Sequence, residues 1–363
     1  MSRRTIDRSL PTHLHVQLRE LLTDGIRRGE WPVGSQLPSI RELIDTHEVS
    51  LPVVRMALDA LVETGIIRTE HGRGSFVVRV PESGTMRLLL FLLCNRSRLD
   101  PFFSRVLSGA ERAASDAGCA LVYRQIEPDD VGGAARQLSA LAVEGVVCTG
   151  DIDDDSYRAL VDSELPFALA GGLLRQHPAP PEVRIIGNDN FQGGRLATDH
   201  LLAAGHRRIG LITGPVVSRH WKLRRLGYEA ALREAGVPFD PALVVECPSD
   251  SADAAEPVIA RLLSKQPDVT ALFAGNDRYA LGAYRALRSL GRRPPLGLSI
   301  VGYDDLDFAE TLEPPLTTIQ PDIEGIGEGA VGLLMEAFAG QPSRQVLRRV
   351  RLLERGSVVP FIG

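Results

Sequence analysis

The sequence predicts an α/β protein in two parts, a small helical head with a two-stranded wing and a larger body of two doubly wound parallel-sheet lobes. Three observations predict it. Near the amino end, a capping pattern and helical spacing mark two short helices, followed by a glycine-bearing hairpin. Beyond residue 87, apolar runs of strand length alternate with helical stretches, the pattern of parallel strands covered on both faces. About ten such strands are more than one twisted sheet ordinarily holds, so two lobes are expected.

Taken in order, a first helix is expected from about Pro11 to Gly29, where Leu14, Leu18, Leu21, Leu22 and Ile26 fall on one face. Ser39 followed three residues later by Glu42 is a capping box, which satisfies free N–H groups at the start of a helix carrying Ile40, Leu43 and Ile44. Ser50 can cap the next helix and Pro52 is tolerated in its first turn. Val54, Leu58, Leu61 and Val62 recur on one face before Gly65 ends it. His71-Gly72-Arg73-Gly74 supplies the turn of a hairpin. Together these describe a winged helix-turn-helix over residues 1–80. Pro81-Glu82-Ser83-Gly84-Thr85 then reads as a linker, and 81–86 is assigned to it.

Three blocks of this head, Leu37-Pro38-Ser39-x-Arg41-Glu42-Leu43, Arg55-x-Ala57-Leu58-x-x-Leu61-x-x-x-Gly65 and Gly72-x-Gly74-x-Phe76-Val77, resemble the GntR-type winged-helix regulators over roughly residues 8 to 79. The resemblance implies a head that binds double-stranded operator DNA. It places Arg41 and Arg55 on the DNA backbone or base edges, and His71 and Gly72, with Arg73 beside them, at a wing tip near the minor groove. Ser50, Leu51 and Val53 open the recognition helix. Leu51 and Val53 depart from the family, which usually carries Arg and Thr there. An apolar side chain cannot hydrogen-bond a guanine edge, although it can touch a thymine methyl, so an operator unlike the one most of the family reads is expected.

In the body, residues 87–363, strands are expected at Leu88 to Leu93, Ala120 to Tyr123, Gly145 to Cys148, Phe167 to Ala170, near Ile185, Ile209 to Ile212, Leu243 to Val245, Thr270 to Phe273 and Ser299 to Val301. Helices fall between them, at about 103–117, 131–142, 155–162, 191–204, 222–235, 253–264 and 277–290. Ligands in such sheets sit beyond the carboxyl ends of the strands. That rule nominates the loops 94–103, 149–151, 170–173, 213–224, 274–277 and 303–305.

Those loops carry a second resemblance. Asp100-Pro101-Phe102-Phe103, Asn188-Asp189-Asn190-x-x-Gly193-Gly194, Gly205-His206-Arg207-Arg208-Ile209-Gly210, Asn276-Asp277-x-x-Ala280-Leu281-Gly282, Val301-Gly302-Tyr303-Asp304-Asp305 and Pro314-Pro315-Leu316-Thr317-Thr318 are similar to the effector domain of LacI-type repressors, over about residues 87 to 357. The resemblance implies two lobes of periplasmic-binding-protein type joined by three crossings, near residue 185, Thr318 and Arg348. Lobe 1 would take about 87–185 and 318–348, and lobe 2 about 186–317 and 349–363. A GntR-type head on a LacI-type body is the arrangement of bacterial arabinose repressors.

For the cleft, the resemblance matches Arg224 to the family's effector-binding arginine and Asp277 to the carboxylate that accepts from sugar hydroxyls or base nitrogens. Phe102 and Phe103 are positioned to wall the cleft, at least one of them also capping the lobe core. His220 or Trp221 can reach it from the other lobe, with Trp221 open between a ligand platform and packing. Tyr303-Asp304-Asp305 reads as a structural turn near the hinge. Gly171-Gly172 stands where relatives often carry Asp or an aromatic, which leaves room for a bulkier ligand or a looser loop. A small polyol needs hydrogen-bonding groups for its hydroxyls and an apolar platform for its C–H face, so a sugar or sugar derivative is the expected effector, with a nucleobase as the alternative.

Charge and composition bound the function. The 363 residues carry a formal charge of −5 and are 44% hydrophobic, ordinary for a globular protein. Residues 1–80 hold 11 Arg against 10 acidic residues, while the remainder holds 30 basic and 36 acidic, so the head is less acidic than the body without being strongly basic. Cys94, Cys119, Cys148 and Cys247 show no ligand spacing and read as free thiols of a reducing compartment. No apolar run reaches a membrane span and the start lacks an export signal, so a cytoplasmic protein is expected and a transport-type solute-binding protein is not. Asp151, Asp153, Asp154 and Asp155 read as a solvated loop and helix start, with no metal expected. No cofactor is expected either. Some GntR-type heads are fused to pyridoxal-phosphate-dependent enzymes, but this chain has only Lys222 and Lys265, neither in a cofactor motif, and no hydrolase signature. The expectation is a non-enzymatic, ligand-responsive repressor acting as a homodimer on a near-palindromic operator.

Overall fold

The computed structural model describes residues 14–70, 73–80, 87–97, 99–127, 130, 132–171, 182–216 and 218–361. The chain divides into two compact units, the first ending at Arg87 and the second starting at Leu88. His71, Gly72, Gly172 and the 81–86 linker lie outside the described residues.

The head begins with α1 (Leu14–Arg27), α2 (Ile40–His47) and α3 (Leu51–Glu63). Its wing pairs β1 (Ile67–Glu70) antiparallel with β2 (Gly74–Val77), Ile67 opposite Val77 and Glu70 opposite Gly74. The capping box closes as the spacing predicts, with Ser39 N donating to Glu42 Oε2 at 2.7 Å and Glu42 N to Ser39 Oγ at 3.3 Å. Ser50 precedes α3 but its side chain makes no capping hydrogen bond. Leu18, Leu22 and Ile26 of α1, Leu43 of α2, Val54, Ala57 and Leu61 of α3, and Ile67 and Val77 of the wing form one core. Each such Leu, Ile or Val, fully buried, contributes about 1.5–3 kcal/mol. Val62, expected on the buried face, is exposed because Leu58 and Leu61 already fill that side of α3.

The second unit follows the predicted alternation. Its first lobe takes β3 (Arg87–Cys94), α4 (Pro101–Asp116), β4 (Cys119–Ile126), α5 (Gly133–Ala140), β5 (Gly145–Gly150), α6 (Asp154–Asp162), β6 (Phe167–Ala170) and β7 (Arg184–Asn188). The second lobe takes α7 (Asn190–Ala203), β8 (Ile209–Thr213), α8 (Arg219–Glu234), β9 (Val244–Glu246), α9 (Ala252–Lys265), β10 (Ala271–Ala274), α10 (Asp277–Ser289), β11 (Ser299–Tyr303) and β12 (Thr317–Gln320). The chain then returns through α11 (Ile323–Phe338) and β13 (Gln345–Arg348) to the first lobe and ends with β14 (Arg351–Leu353) in the second.

The sheets run in the order β13-β7-β6-β5-β3-β4 and β14-β12-β11-β10-β8-β9, with β14 antiparallel to β12. Each is covered on both faces, which is why its strands read as unbroken apolar runs. In the first lobe α4 and α11 share a core with Leu89, Phe91 and Leu93, while Leu90, Leu92 and Cys94 face α5 and α6. In the second, α9 and α10 cover one face and α7 and α8 the other. The chain crosses between lobes after Asn188, after Gln320 and after Arg348. The second crossing falls later than Thr318 because residues 317–320 extend the second sheet beside β11.

One helix pair in each lobe packs at glycines. A Cβ on Gly109 of α4 would lie 2.0 Å from the Glu324 carbonyl oxygen, and one on Gly327 of α11 would lie 1.9 Å from that of Val106. The same reciprocal arrangement joins Gly194 of α7 to the Arg224 carbonyl, at 2.1 Å, and Gly227 of α8 to that of Phe191, at 2.2 Å. No side chain fits at any of the four.

Candidate functional site

The carboxyl ends of both sheets face a cleft between the lobes, lined from both sides by Arg96, Asp100, Phe102, Arg224, Arg278 and Asp304. Its centre is Arg224, on the second turn of α8 and only 6% exposed. Arg224 Nε donates to Asn190 Oδ1 at 2.9 Å, Nη1 to the Gly275 carbonyl at 2.5 Å and Nη2 to Asp304 Oδ1 at 3.3 Å. The guanidinium lies 3.4 Å from the centre of the Tyr303 ring. A buried cation is tolerated only when so paired and bonded.

Asp304 has φ 103° and Asp305 φ 48°, a left-handed turn that side-chain-bearing residues seldom adopt. The turn is held by Asp304 N donating to the Ile319 carbonyl at 2.9 Å and by Asp305 accepting from Arg355 at 2.7 Å. Such strain costs about 1–3 kcal/mol and here aims a carboxylate into the cavity. Burial pushes the Asp304 carboxyl up to about 7, the Arg224 charge opposing it.

Four further charged groups complete the walls, and they pair across the two lobes. Asp100 caps α4, accepting from Phe102 N at 2.9 Å, and also receives Arg278 Nη2 of α10 at 2.8 Å. Arg96, just after β3, reaches Asp151 of its own lobe at 3.2 Å and Asp250 of the other at 3.5 Å. Asn276 caps α10, accepting from Tyr279 N at 2.8 Å, and its amide donates to Asp250.

Of the residues expected in the cleft, Phe102, Phe103, His220, Trp221 and Arg224 line this cavity. Phe103 is largely buried in the lobe core and meets Phe102 edge to face at 5.2 Å, so one ring anchors and the other is half-exposed. Trp221 is 3% exposed and stacks on Tyr279 at 5.4 Å, which makes packing its main employment. His220 is held neutral, well below the usual histidine range, by burial and then by the Arg224 and Arg96 charges, and its Nδ1 has no partner among the described residues.

Asp277 is placed elsewhere. It is fully buried, its Oδ1 accepting from Thr318 Oγ1 at 2.6 Å and its Oδ2 from Leu306 N at 2.8 Å. It ties the start of α10 to β12 and to the loop after β11, and does not line the cavity. The reason is helical phase: with Asn276 as cap, the next residue turns inward and Arg278 emerges instead. Burial first, then the Asp304 charge, pushes the Asp277 carboxyl up to about 8. Its contribution to stability is therefore complete below the ordinary carboxylate range and is lost as pH rises through about 8. Asp277→Asn should flatten the fall of the thermal midpoint between pH 6 and pH 9, followed by circular dichroism. A variant whose midpoint tracks the parent across that range would dismiss Asp277 as the source of the slope.

Arg96, Asp100, Asn276 and Asp304 are cavity residues that sequence reasoning missed, although all four lie in loops that the strand-end rule nominates. Asp250 and Arg278 lie outside those loops. Asp304 is more than the structural turn expected of it, being both turn and wall.

In the head, Arg41, Ser50, Leu51 and Arg55 are exposed on α2 and the start of α3, while Val53 is half-buried against the head core. Arg73 is exposed and pairs with Glu70 at 2.7 Å, and the Gln36 amide donates to its carbonyl at 2.6 Å, pinning the wing. Among the described residues no group of His, Cys, Asp and Glu could hold a metal ion, and no helix is long and apolar enough to cross a membrane. Asp153 caps α6 through Ser156 N at 2.8 Å, which accounts for it locally.

Comparison with known proteins bears on both units. Residues 14–77 match the family described as bacterial regulatory proteins, gntR family, and residues 198–358 match the periplasmic binding protein-like domain. The HTH-type transcriptional regulator CelR of Thermobifida fusca is 32% identical over 317 residues, 85% of this chain and 90% of that protein. The chain belongs to the LacI-type transcriptional regulators. Within this family it carries a gntR-family head. A solved CelR–cellobiose complex superimposes with a TM-score of 0.69 at 27% identity, covering 95% of this chain and 99% of that one. A LacI family regulator from Enterococcus faecium with bound ribose gives 0.67 at 26% identity, covering 76% and 100%. The lac repressor dimer bound to operator and an anti-inducer gives 0.67 at 26% identity, covering 76% and 95%. The relatives are regulators and not enzymes.

Proposed function

We propose that this regulator is a repressor that binds operator DNA as a homodimer through its head and is released by an uncharged sugar held between the lobes of its body. The observation that carries the ligand class is the pairing of every cavity guanidinium with a carboxylate: Arg224 with Asp304, Arg278 with Asp100 and Arg96 with Asp250. An anionic ligand would have to displace one of those carboxylates, whereas hydroxyls, which both donate and accept, can bridge them. The half-exposed Phe102 ring offers a C–H platform, and His220 and Asn188, whose buried Nδ1 and Oδ1 have no partner among the described residues, line the same cleft. Relatives solved with cellobiose and ribose agree with this class. The relative solved as a dimer on its operator agrees with the mode of action. The reading places the protein in the cytoplasm.

Because both lobes contribute to the cavity, a ligand bound there stabilises one lobe arrangement, and by linkage its affinity and that for operator change reciprocally. The test is a thermal-shift panel of neutral mono- and disaccharides, sugar acids and nucleobases on the full chain. A ligand at about 100 times its Kd adds about 2.7 kcal/mol to the native state. A neutral sugar should raise the midpoint of the parent and not that of Asp304→Asn, and should lower affinity for a duplex enriched from a random pool. Stabilisation by anions or nucleobases alone would reject the sugar assignment. In the same assays Arg55→Ala should weaken duplex binding about tenfold or more while leaving the sugar response intact.

A further inference from the structure

The first two turns of α3 present four side chains outward, Leu51, Pro52, Arg55 and Met56, and only Arg55 among them can donate a hydrogen bond. Leu51 is 41% and Met56 50% exposed. The head does not need either in its core, since Val54, Ala57, Leu58 and Leu61 already complete the inner face of the helix. Nor is apolar exposure the rule on the neighbouring helix: after Ile40 at its first position, the outward residues of α2 are Arg41, Glu42, Asp45 and Thr46. In a helix-turn-helix the amino-terminal part of the second helix meets the base edges of the major groove. The only apolar group those edges offer is the thymine 5-methyl.

We propose that Leu51 and Met56 select the operator by packing against thymine 5-methyl groups on either side of the position contacted by Arg55. The selection works in both directions. A methyl buried against Leu51 or Met56 leaves water favourably, worth about fourfold in affinity per methyl. A guanine or cytosine edge at the same place would lose hydrogen bonds to water that neither side chain can replace, which raises the penalty for the wrong base.

The inference rests on the DNA-binding reading of the head, and its test separates the two. The full-length protein is used to enrich duplexes from a random-sequence pool. The best duplex is then resynthesised with deoxyuridine in place of thymidine at one position at a time, which removes only the methyl. At one or two positions per half-site the substitution should weaken binding about fourfold at fixed salt. In Leu51→Ala or Met56→Ala protein the same deoxyuridine should have no further effect, because its protein partner is gone. Both residues are exposed, so the variants keep the fold, checked by an unchanged thermal midpoint. Binding insensitive to deoxyuridine at every position, or equal losses in parent and both variants, would overturn methyl reading while leaving a DNA-binding head. Failure to enrich any duplex would instead defeat the DNA-binding reading, and this inference with it.

Discussion

Arg224→Ala is expected to abolish the effector response and to lower the thermal midpoint of the body by about 10 °C. The guanidinium is 6% exposed and holds Asn190, Gly275 and Asp304 together from one side chain. Removing it leaves the Asp304 carboxylate buried without its cation, and losing one partner of a buried pair costs about 3–5 kcal/mol. For a unit of this size each kcal/mol moves the midpoint by about 2–4 °C. The double variant Arg224→Ala with Asp304→Ala should regain part of that stability and none of the sugar response, since the unpaired charge is gone but the binding groups are not restored. Operator binding by the effector-free single variant should persist, read by fluorescence anisotropy. A single variant that kept both its midpoint and its sugar response would remove Arg224 from the centre of the site.

Gly227→Val is expected to be worse for the fold, a loss of more than about 4 kcal/mol that leaves little soluble protein. A Cβ there would sit 2.2 Å from the Phe191 carbonyl oxygen, which is backbone and cannot turn aside. α7 and α8 would have to separate, withdrawing Asn190 from Arg224. Gly332→Ala is the control. Position 332, on the exposed side of α11, has nothing within 4 Å of where a methyl group would sit, so alanine there should add up to about 1 kcal/mol through helix propensity alone. Urea unfolding of the two variants beside the parent measures both, and equal midpoints for all three would refute the steric account.

How much of this is legible in the sequence follows from how local each signal is. The capping box of Ser39 and Glu42 is a contact between near neighbours, and it closes as its spacing says. The strands of both lobes are buried on two faces and announce themselves as apolar runs. α11 is absent from the expected helices because Gly325, Gly327, Gly329 and Gly332 depress its helix propensity. Gly327 is there for a reason that only the packed structure states, the approach of Val106 from α4. At the sheet edges β13 alternates in exposure and β14 is only three residues long, so neither offers a run to read. The exchange of roles between Asp277 and Asp304 is out of reach for another reason. Both are acids just past strand ends, and which one points into the cavity depends on a helix phase and a left-handed turn, neither of which residue spacing encodes.

The three crossings between lobes have a consequence for how such a protein can be assembled from parts. Neither lobe is a single length of chain: the first needs residues on both sides of the second, and the second closes with a strand that follows the first lobe's last one. No single cut in the gene releases one lobe, so the body is inherited or recombined only as a whole. The head is one uninterrupted segment that ends by Arg87. A splice in the short stretch before that residue exchanges a complete operator reader without opening the sensor. DNA specificity and ligand specificity can thus change by separate events, which accounts for a gntR-family reader standing before a LacI-type body.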